Sequence, residues 1–422
     1  MKVKMIRFKG GERFPIIVDD NDAPVSVPNL YLLTMSRQVD ALNTMKAKSR
    51  AIAQFYKWCE STGIDVESRF RENHFLSVDE INSMCEYLRI DYKNNKIKVN
   101  KNVDIKPTKM SKIIHLNFKL KQNKQINVCN DTYNQRIIYI KDYLNWIVNV
   151  KSISINNKES EYTSIILKRN EMIEMIKSRK LPSRGQELPR GFEEEVKKIL
   201  IDTINPNSEY NPFRDKFVKA RNEIFVLIAI SSGLRRGEML TIKVEHIDLV
   251  NKRIEIVRCP DDVADTRGVE PNVKTRSRYI RIENSLVIPI KEHLKERRKR
   301  KLSKTHPYFF VARSGAPLSY TQAGDIYIKL RDCDIKLPDN LTQHEIRHAW
   351  NYKFSELAKQ KGVSDTEADN LRKNLMGWSK NSVMPARYNE RYIQEKSEEL
   401  SLNLQKEIME YRDKNNKEKD EK

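Results

Sequence analysis

The sequence predicts a mainly α-helical fold with a small antiparallel β-sheet, divided into two domains. Its 422 residues are too many for one ordinary domain and sufficient for two hydrophobic cores. Apolar residues recur at helical spacing along most of the chain, whereas the alternation typical of strands is clearest near residues 253–282. Residues 178–191 hold two prolines, two glycines and four basic residues without periodicity. We therefore place a linker at 179–190.

The part before this linker is predicted to contain a short extension and a helical module. Residues 1–35 mix Val, Ile and Phe with glycines and aspartates, which favours short strands or extended chain over helix. Residues 36–178 form the helical module, in which Ser77 opens one helix through a capping box with Glu80. The basic run at 93–112 interrupts the module as a loop, which is compatible with a solvated surface or with a contact to a phosphate backbone.

The part after the linker is predicted to form the second domain, at 191–400. Two helices lead into alternating strands at 253–257 and 279–282, and further helices follow. The last residues, 401–422, are highly charged, and we expect a C-terminal tail there.

The charge balance indicates a polyanionic partner. Lys and Arg number 79 against 58 Asp and Glu, which gives a formal net charge of +21 and favours nucleic acid over a membrane surface. No stretch has the length and apolarity of a signal peptide core or a membrane span, so we expect a cytoplasmic protein. The five cysteines form no CxxC pair and the histidines no HExxH motif. We therefore expect reduced thiols, no metal and no cofactor.

The first motif with chemical potential follows the apolar run 224–230. Gly233 ends that helix, and Arg235 and Glu238 come next, three residues apart. The planar guanidinium group can hold two oxygens of one phosphate and stays charged at any working pH. The same two residues are equally compatible with a purely structural ion pair.

Two further motifs lie closer to the C-terminus. Thr342 is placed to open a helix on which His344 and Arg347 share one face, which would combine a proton carrier with a fixed positive charge. Trp378 is followed ten residues later by Tyr388. Taken alone, each motif is also typical of a structural histidine or of core aromatic residues.

In combination, these motifs resemble the catalytic domain of tyrosine recombinases and phage integrases. The order G-L-R-x-x-E, a basic hairpin, T-x-H-x-x-R-H, L-x-G-W and a tyrosine matches the pattern of that family over about residues 188–392. The resemblance implies that Arg235 and Arg347 bind the phosphate and that His344 is the histidine of the HxxR box. It also implies that Trp378 fills the position taken by His or Trp and that Tyr388 is the nucleophile. Glu238 matches the acidic residue that supports the first arginine.

Two assignments have close rivals within the chain. The family places a lysine in a β-hairpin between the first arginine and the HxxR box, and Lys274 is our choice over Arg276 and Arg278. Tyr388 is preferred as the nucleophile over Tyr392, because an Arg-Tyr pair after a short loop following the tryptophan is the more typical placement.

The resemblance also implies an activity and partners. The module at 36–178 would be a core-binding domain that forms a two-domain clamp on double-stranded DNA with the catalytic domain. Four active sites would act together in a tetramer on DNA, with possible accessory DNA-bending proteins, so the protein would be nucleoid-associated when it acts. The function would be site-specific recombination for a mobile element. Alternatives are an enzyme like a type IB topoisomerase and a catalytically idle DNA-binding regulator of the same fold.

Overall fold

The computed structural model describes residues 1–91, 126–152, 159–183, 192–271, 273–333 and 337–420. The chain divides into two compact units. One contains Met1–Phe8 and Arg13–Gly185, and the other contains Lys9–Glu12 and Gln186–Lys422. The predicted basic loop at 93–112 and residues 184–190 of the predicted linker lie outside the described residues.

The first unit combines a β-hairpin with a bundle of helices. Its elements are β1 (Lys2–Arg7), β2 (Arg13–Val18), α1 (Ser26–Tyr31), a π-helical turn (Leu32–Ser36), α2 (Leu42–Thr62), α3 (Val66–Arg71), α4 (Val78–Arg89), α5 (Asn130–Ser152) and α6 (Glu159–Ser178). The two strands pair antiparallel, from Lys2 opposite Val18 to Arg7 opposite Arg13.

Helices α2 and α5 form the centre of the first core. Their apolar faces are fully buried, as Ile52 and Phe55 on α2 and Leu144 on α5 show. Inside this core the hydroxyl groups of Tyr56 and Tyr143 lie 2.7 Å apart, which satisfies both buried polar groups. The predicted capping box at the start of α4 is confirmed.

The second unit is mainly helical around a three-stranded sheet. Its elements are α7 (Glu194–Ile204), α8 (Lys216–Ser232), α9 (Arg236–Leu240), β3 (Ile247–Asp248), β4 (Arg253–Ile256), β5 (Arg278–Arg281), α10 (Asn284–Arg298), α11 (Tyr320–Arg331), α12 (Gln343–Gln360), α13 (Asp365–Met376) and α14 (Met384–Asp420). The sheet order is β3-β4-β5, and all its pairs are antiparallel. The predicted mainly helical fold with a small antiparallel sheet is therefore confirmed.

The long connection from β4 to β5 is held against the second unit by a buried arginine. The Arg267 guanidinium donates hydrogen bonds to the carbonyl oxygens of Leu240 and Leu318, at 3.0 and 3.1 Å, and pairs with Asp265 at 2.9 Å. Arg267 and Asp265 are both buried. Side-chain hydrogen bonds therefore fix the connection that leads to Lys274, although its described residues have no regular secondary structure.

Helix α14 extends further than the sequence indicated. It continues to Asp420, into the segment predicted as a charged tail. Leu400, Leu404 and Ile408 recur at helical spacing on it and are 64, 62 and 65% exposed. No described helix has the length and apolarity that a membrane span requires.

The packing of the first unit can be tested on α5 with two identical substitutions. Val148 is 3% exposed and Val150 is 41% exposed. We expect Val148→Ala to lower the free energy of unfolding by about 2 kcal/mol, because it removes two buried methyl groups and leaves a cavity. Val150→Ala should change it little. Urea denaturation measures both, and equal effects would contradict this description of the core.

Candidate active site

The turn after α8 has a conformation that requires glycine. Gly233 lies in the left-handed region with φ at 62°, and a Cβ atom there would meet the Trp350 ring at 3.0 Å. Two side chains from α12 donate hydrogen bonds to backbone carbonyls of this turn. Arg347 donates from Nη1 to the Gly233 carbonyl at 2.7 Å, and Gln343 donates to the Leu234 carbonyl at 2.9 Å. The turn thereby fixes the start of α9, where Arg235 lies.

The carboxylate of Glu238 forms the buried centre of the site. It is 1% exposed and accepts a hydrogen bond from the Arg235 backbone N–H at 2.8 Å. Its other oxygen accepts from the Thr275 hydroxyl at 2.6 Å and from Arg278 Nη1 at 3.2 Å. Because Thr275 and Arg278 belong to the segment entering β5, this carboxylate joins the sheet to the first arginine motif.

Two more guanidinium groups lie close to the same carboxylate. Arg235 Nη1 is 3.7 Å and Arg347 Nη1 is 3.8 Å from its oxygens. Burial alone would raise the pKa of Glu238, but Arg278 and Arg347 and the hydrogen bonds from Thr275 and Arg235 outweigh it and lower that pKa. Three positive charges therefore surround one negative charge, which leaves a local excess of positive charge.

Several donors around Glu238 have no acceptor. Within the part of the chain that the structure describes, four buried guanidinium nitrogens near this carboxylate have no hydrogen-bond partner: Arg235 Nη1, Arg278 Nη2, Arg347 Nε and Arg347 Nη2. Trp378 Nε1 has none either, and its ring centroid lies 5.6 Å from the guanidinium carbon of Arg347. Buried polar atoms without partners are rare in folded proteins and often mark a place where a ligand completes the hydrogen bonds. Donors of this kind suit a phosphate, a sulfate or a carboxylate.

The segment containing Lys274 packs on a second glycine turn. The Arg276 backbone N–H donates to the Gly377 carbonyl at 2.8 Å, and Arg278 Nε donates to the Leu375 carbonyl at 2.6 Å. Gly377 has φ at 66°, and a Cβ atom there would meet Arg278 Nη1 at 2.7 Å. Arg276 and Arg278 are thus both bound to protein, whereas Lys274 is exposed and has no hydrogen bond to any described residue. Of the three basic residues, Lys274 is the one whose side chain is exposed and makes no hydrogen bond to a described residue, whereas Arg278 keeps one unpartnered nitrogen, Nη2.

Tyr388 packs against two aromatic rings beside the arginines. It is 6% exposed, and its ring stacks on Trp378 at 5.4 Å between centroids with an interplanar angle of 16°. The centroid of the His348 ring lies 4.9 Å from that of Tyr388. Burial and Arg347 lower the pKa of Arg235, whereas Glu238 and Tyr388 act to raise it, so Tyr388 is within electrostatic range of that guanidinium.

His344 reaches this cluster through a second histidine. The Nε2 atoms of His344 and His348 are 3.0 Å apart, so one ring donates its N–H and the other accepts it. Tyr392, the rival to Tyr388, packs one turn further along α14 against Tyr352 at 6.1 Å. Among the two tyrosines, only Tyr388 contacts Trp378.

Sequence reasoning missed part of this arrangement. The roles of Thr275 and Arg278 as partners of Glu238 and of Trp350 as a partner of Gly233 depend on contacts between distant segments, and no local pattern indicates them. His348 could have been found, because it lies four residues after His344 and therefore on the same face of α12.

Comparison with known proteins gives one family and several related folds. The model of the phage integrase family matches residues 193–395. The XerH site-specific recombinase bound to a palindromic difH substrate, in a post-cleavage complex, is 14% identical, with 90% of this chain and 85% of that chain covered and a TM-score of 0.52. Its pre-cleavage complex on difH is 13% identical, with 90 and 89% covered and a TM-score of 0.50.

A third structure, the Tn1549 transposon integrase with transposon right end DNA, is 14% identical over 86% of this chain and 94% of that chain, with a TM-score of 0.47. The search of curated protein sequences finds no significant match. At these identities the XerH structures show a shared fold.

The role of Glu238 as the charge centre can be tested by a neutral replacement. Glu238→Gln keeps the size of the side chain but leaves three neighbouring guanidinium groups without their counter-charge. We expect it to lower the free energy of unfolding at pH 7 by about 3 kcal/mol. Glu296→Gln is the control, because Glu296 forms a surface ion pair with Lys299 and its replacement should change the free energy of unfolding little.

The difference in free energy of unfolding between Glu238→Gln and the unmodified protein should change with pH in one direction. The pKa of Glu238 in the folded protein lies below its usual value of 4.5, so its contribution is fully present above that value and is lost as pH falls through the lowered pKa. The gap in stability between Glu238→Gln and the unmodified protein should therefore narrow below about pH 4. Denaturation curves at a series of pH values measure it, and a gap that widens in acid would contradict this role.

Proposed function

Residues 193–395 of this chain belong to the phage integrase family, and we propose on that basis that the protein is a site-specific DNA recombinase. It cleaves and rejoins DNA through a 3′-phosphotyrosine intermediate on behalf of a mobile element. The region at 191–400 is the catalytic domain, and the helical module at 36–178 is the core-binding domain.

One observation supports this proposal most strongly. Unpartnered N–H groups of Arg235 and Arg347 lie beside Glu238, the Trp378 ring with its unpartnered N–H lies beside Arg347, and the buried Tyr388 ring is packed against Trp378. A nucleophile beside a group of donors without acceptors is the arrangement that phosphoryl transfer needs, because the donors stabilise the charge of the transition state.

The residues have complementary roles in the reaction. Arg235 and Arg347 bind the two non-bridging oxygens of the scissile phosphate, with Trp378 Nε1 as a further donor. The Tyr388 oxygen attacks phosphorus in line, and the bond to the 5′ oxygen of the DNA breaks. His344 accepts or orients the tyrosine proton within its pair with His348, and Lys274 protonates the departing 5′ oxygen. Rejoining reverses these steps with a 5′ hydroxyl from a partner strand.

This mechanism uses side chains alone. The phosphotyrosine conserves the energy of the broken phosphodiester bond, so no nucleotide cofactor is required. The arginines and Lys274 supply the positive charge that a metal ion would otherwise provide at the phosphate.

Double-stranded DNA is the proposed partner. The formal charge of +21 favours binding to DNA, because basic side chains that neutralise phosphates release the counterions bound there. We propose that the two domains clamp the duplex with basic inner faces. Strand exchange between two duplexes uses four active sites, hence a tetramer on DNA, with possible accessory DNA-bending proteins. The exposed apolar stripe of Leu400, Leu404 and Ile408 on α14 supports self-association.

Two other functions are compatible with the same fold. An enzyme like a type IB topoisomerase would relax a single duplex as a monomer, and the helical module before residue 179 and the tryptophan at 378 favour a recombinase instead. An idle DNA-binding regulator would form no covalent adduct. Joining of strands from two different duplexes therefore separates the recombinase from both alternatives.

The nucleophile can be identified with two substitutions on one helix. We expect Tyr388→Phe to abolish the covalent protein–DNA complex and to leave DNA binding nearly unchanged, because only one hydroxyl is removed. Tyr392→Phe is the control and should retain the complex. The assay incubates the protein with end-labelled duplexes that tile the ends of the mobile element and detects adducts resistant to detergent. An adduct that persists in Tyr388→Phe and is lost in Tyr392→Phe would assign the nucleophile to Tyr392.

The two arginines should affect cleavage far more than binding. Arg347→Ala or Arg235→Ala should slow cleavage by about 100- to 1,000-fold, the effect of removing a donor to a developing negative charge. Most DNA affinity comes from other phosphate contacts, so it should fall only modestly. Arg236→Ala is a matched control, because the Arg236 guanidinium packs on Tyr320 at 3.9 Å instead of facing Glu238. Equal losses of binding and cleavage would mark Arg235 and Arg347 as general DNA contacts.

A further inference from the structure

A second polar cluster lies on a different face of the helix that carries Tyr388. Asn389, the next residue, accepts hydrogen bonds at its side-chain oxygen from Arg372 Nη1 at 2.6 Å and from the Ser355 hydroxyl at 2.9 Å. Its side-chain nitrogen donates to Asp369 at 3.2 Å. Three side chains from α12 and α13 thus fix one residue of α14.

Arg372 is the central member of this cluster. It is 1% exposed, donates from Nη2 to the Ser355 hydroxyl at 2.7 Å, and lies over the Phe354 ring at 4.9 Å. Its guanidinium therefore connects α12, α13 and α14 at one point. Burial lowers the pKa of Arg372, which reflects the cost of keeping a charge in this place.

The contact with Asn389 determines where Tyr388 points. Successive residues of an α-helix are rotated by about 100° around its axis, so Asn389 and Tyr388 face different neighbours. With Asn389 held by α12 and α13, Tyr388 is directed toward Trp378 and His348, whose rings it contacts. A hydroxyl that must approach phosphorus to about 3–3.5 Å tolerates little rotation or shift of this helix.

We propose that Arg372 is a positioning residue for the nucleophile, which acts through Asn389 and sets the rotation of α14 relative to the phosphate-binding arginines. This inference rests on the proposed function, in which Tyr388 attacks the phosphate. Arg372 does not touch the phosphate, and its loss affects only those steps in which the tyrosine oxygen must be in place.

The test compares two reactions, only one of which uses Tyr388. The first is formation of the covalent complex on the duplex that the unmodified protein cleaves. The second is joining of a strand that carries a 3′-p-nitrophenyl phosphate to a 5′ hydroxyl. In it the 5′ oxygen attacks phosphorus and loses its proton to solvent, and p-nitrophenolate leaves with the electrons of the broken P–O bond. This second reaction is run in a Tyr388→Phe background, with and without Arg372→Lys, so that no tyrosine oxygen can displace p-nitrophenolate; it then needs the phosphate-binding residues but not the tyrosine.

The variant is Arg372→Lys, which keeps the charge but cannot hold Asn389 and Ser355 together. We expect covalent complex formation to slow by about 100-fold, as for a misplacement of about 1 Å. DNA affinity should stay close to that of the unmodified protein, and p-nitrophenolate-releasing joining close to that of Tyr388→Phe alone. The retained joining activity also shows that the variant is folded.

Arg221→Lys is the matched control. Arg221 is similarly buried and hydrogen-bonds to Asn222 and the Val311 carbonyl, away from α14. Arg221→Lys should change the rates of covalent complex formation and of p-nitrophenolate-releasing joining to the same extent. Unchanged cleavage in Arg372→Lys, or equal loss of cleavage and joining, overturns the positioning role. If neither reaction takes place with Arg372 intact, the proposed function itself fails.

Discussion

The site depends on one buried carboxylate. Glu238 is almost fully enclosed, and a carboxylate in such a place is tolerated only when opposite charges and hydrogen bonds compensate for the lost solvation. Arg278, Thr275 and the Arg235 backbone provide the hydrogen bonds, and Arg235 and Arg347 provide further charge. The arginines repel one another, so the carboxylate is also what allows them to share a small volume. Their remaining unpartnered N–H groups are the donors that we propose for the phosphate.

Two glycine turns bring the distant segments to this carboxylate. Gly233 lets Trp350 and Arg347 of α12 pack against the end of α8, and Gly377 lets the strand entering β5 lie on the turn before Trp378. Any side chain at either position would push these segments apart, because the nearest atoms lie at about the minimum contact distance. Segments separated by more than 100 residues thereby form one site.

Local patterns predicted the elements, and contacts between elements completed the site. Local sequence patterns were sufficient to predict three features, because each pattern is formed by neighbouring residues. These are the helical periodicity before 179, the capping box at Ser77 and the strands near 253–282. The choice of Lys274 over Arg276 and Arg278 rested on resemblance alone, and no local pattern shows the hydrogen bond of Arg278 to Glu238, which lies 40 residues away in the chain. The extent of α14 was not predicted either, because a highly charged segment resembles a disordered tail in sequence.

The central claim is that the carboxylate-held arginines bind the phosphate that Tyr388 receives. A crystal structure of the covalent complex with cleaved DNA tests it most directly. The account predicts phosphorus bonded to the Tyr388 oxygen, and guanidinium nitrogens of Arg235 and Arg347 within about 3 Å of its non-bridging oxygens. Glu238 should still accept its hydrogen bond from Arg278. A phosphate bonded to another residue, or arginines turned away from it, would contradict the account.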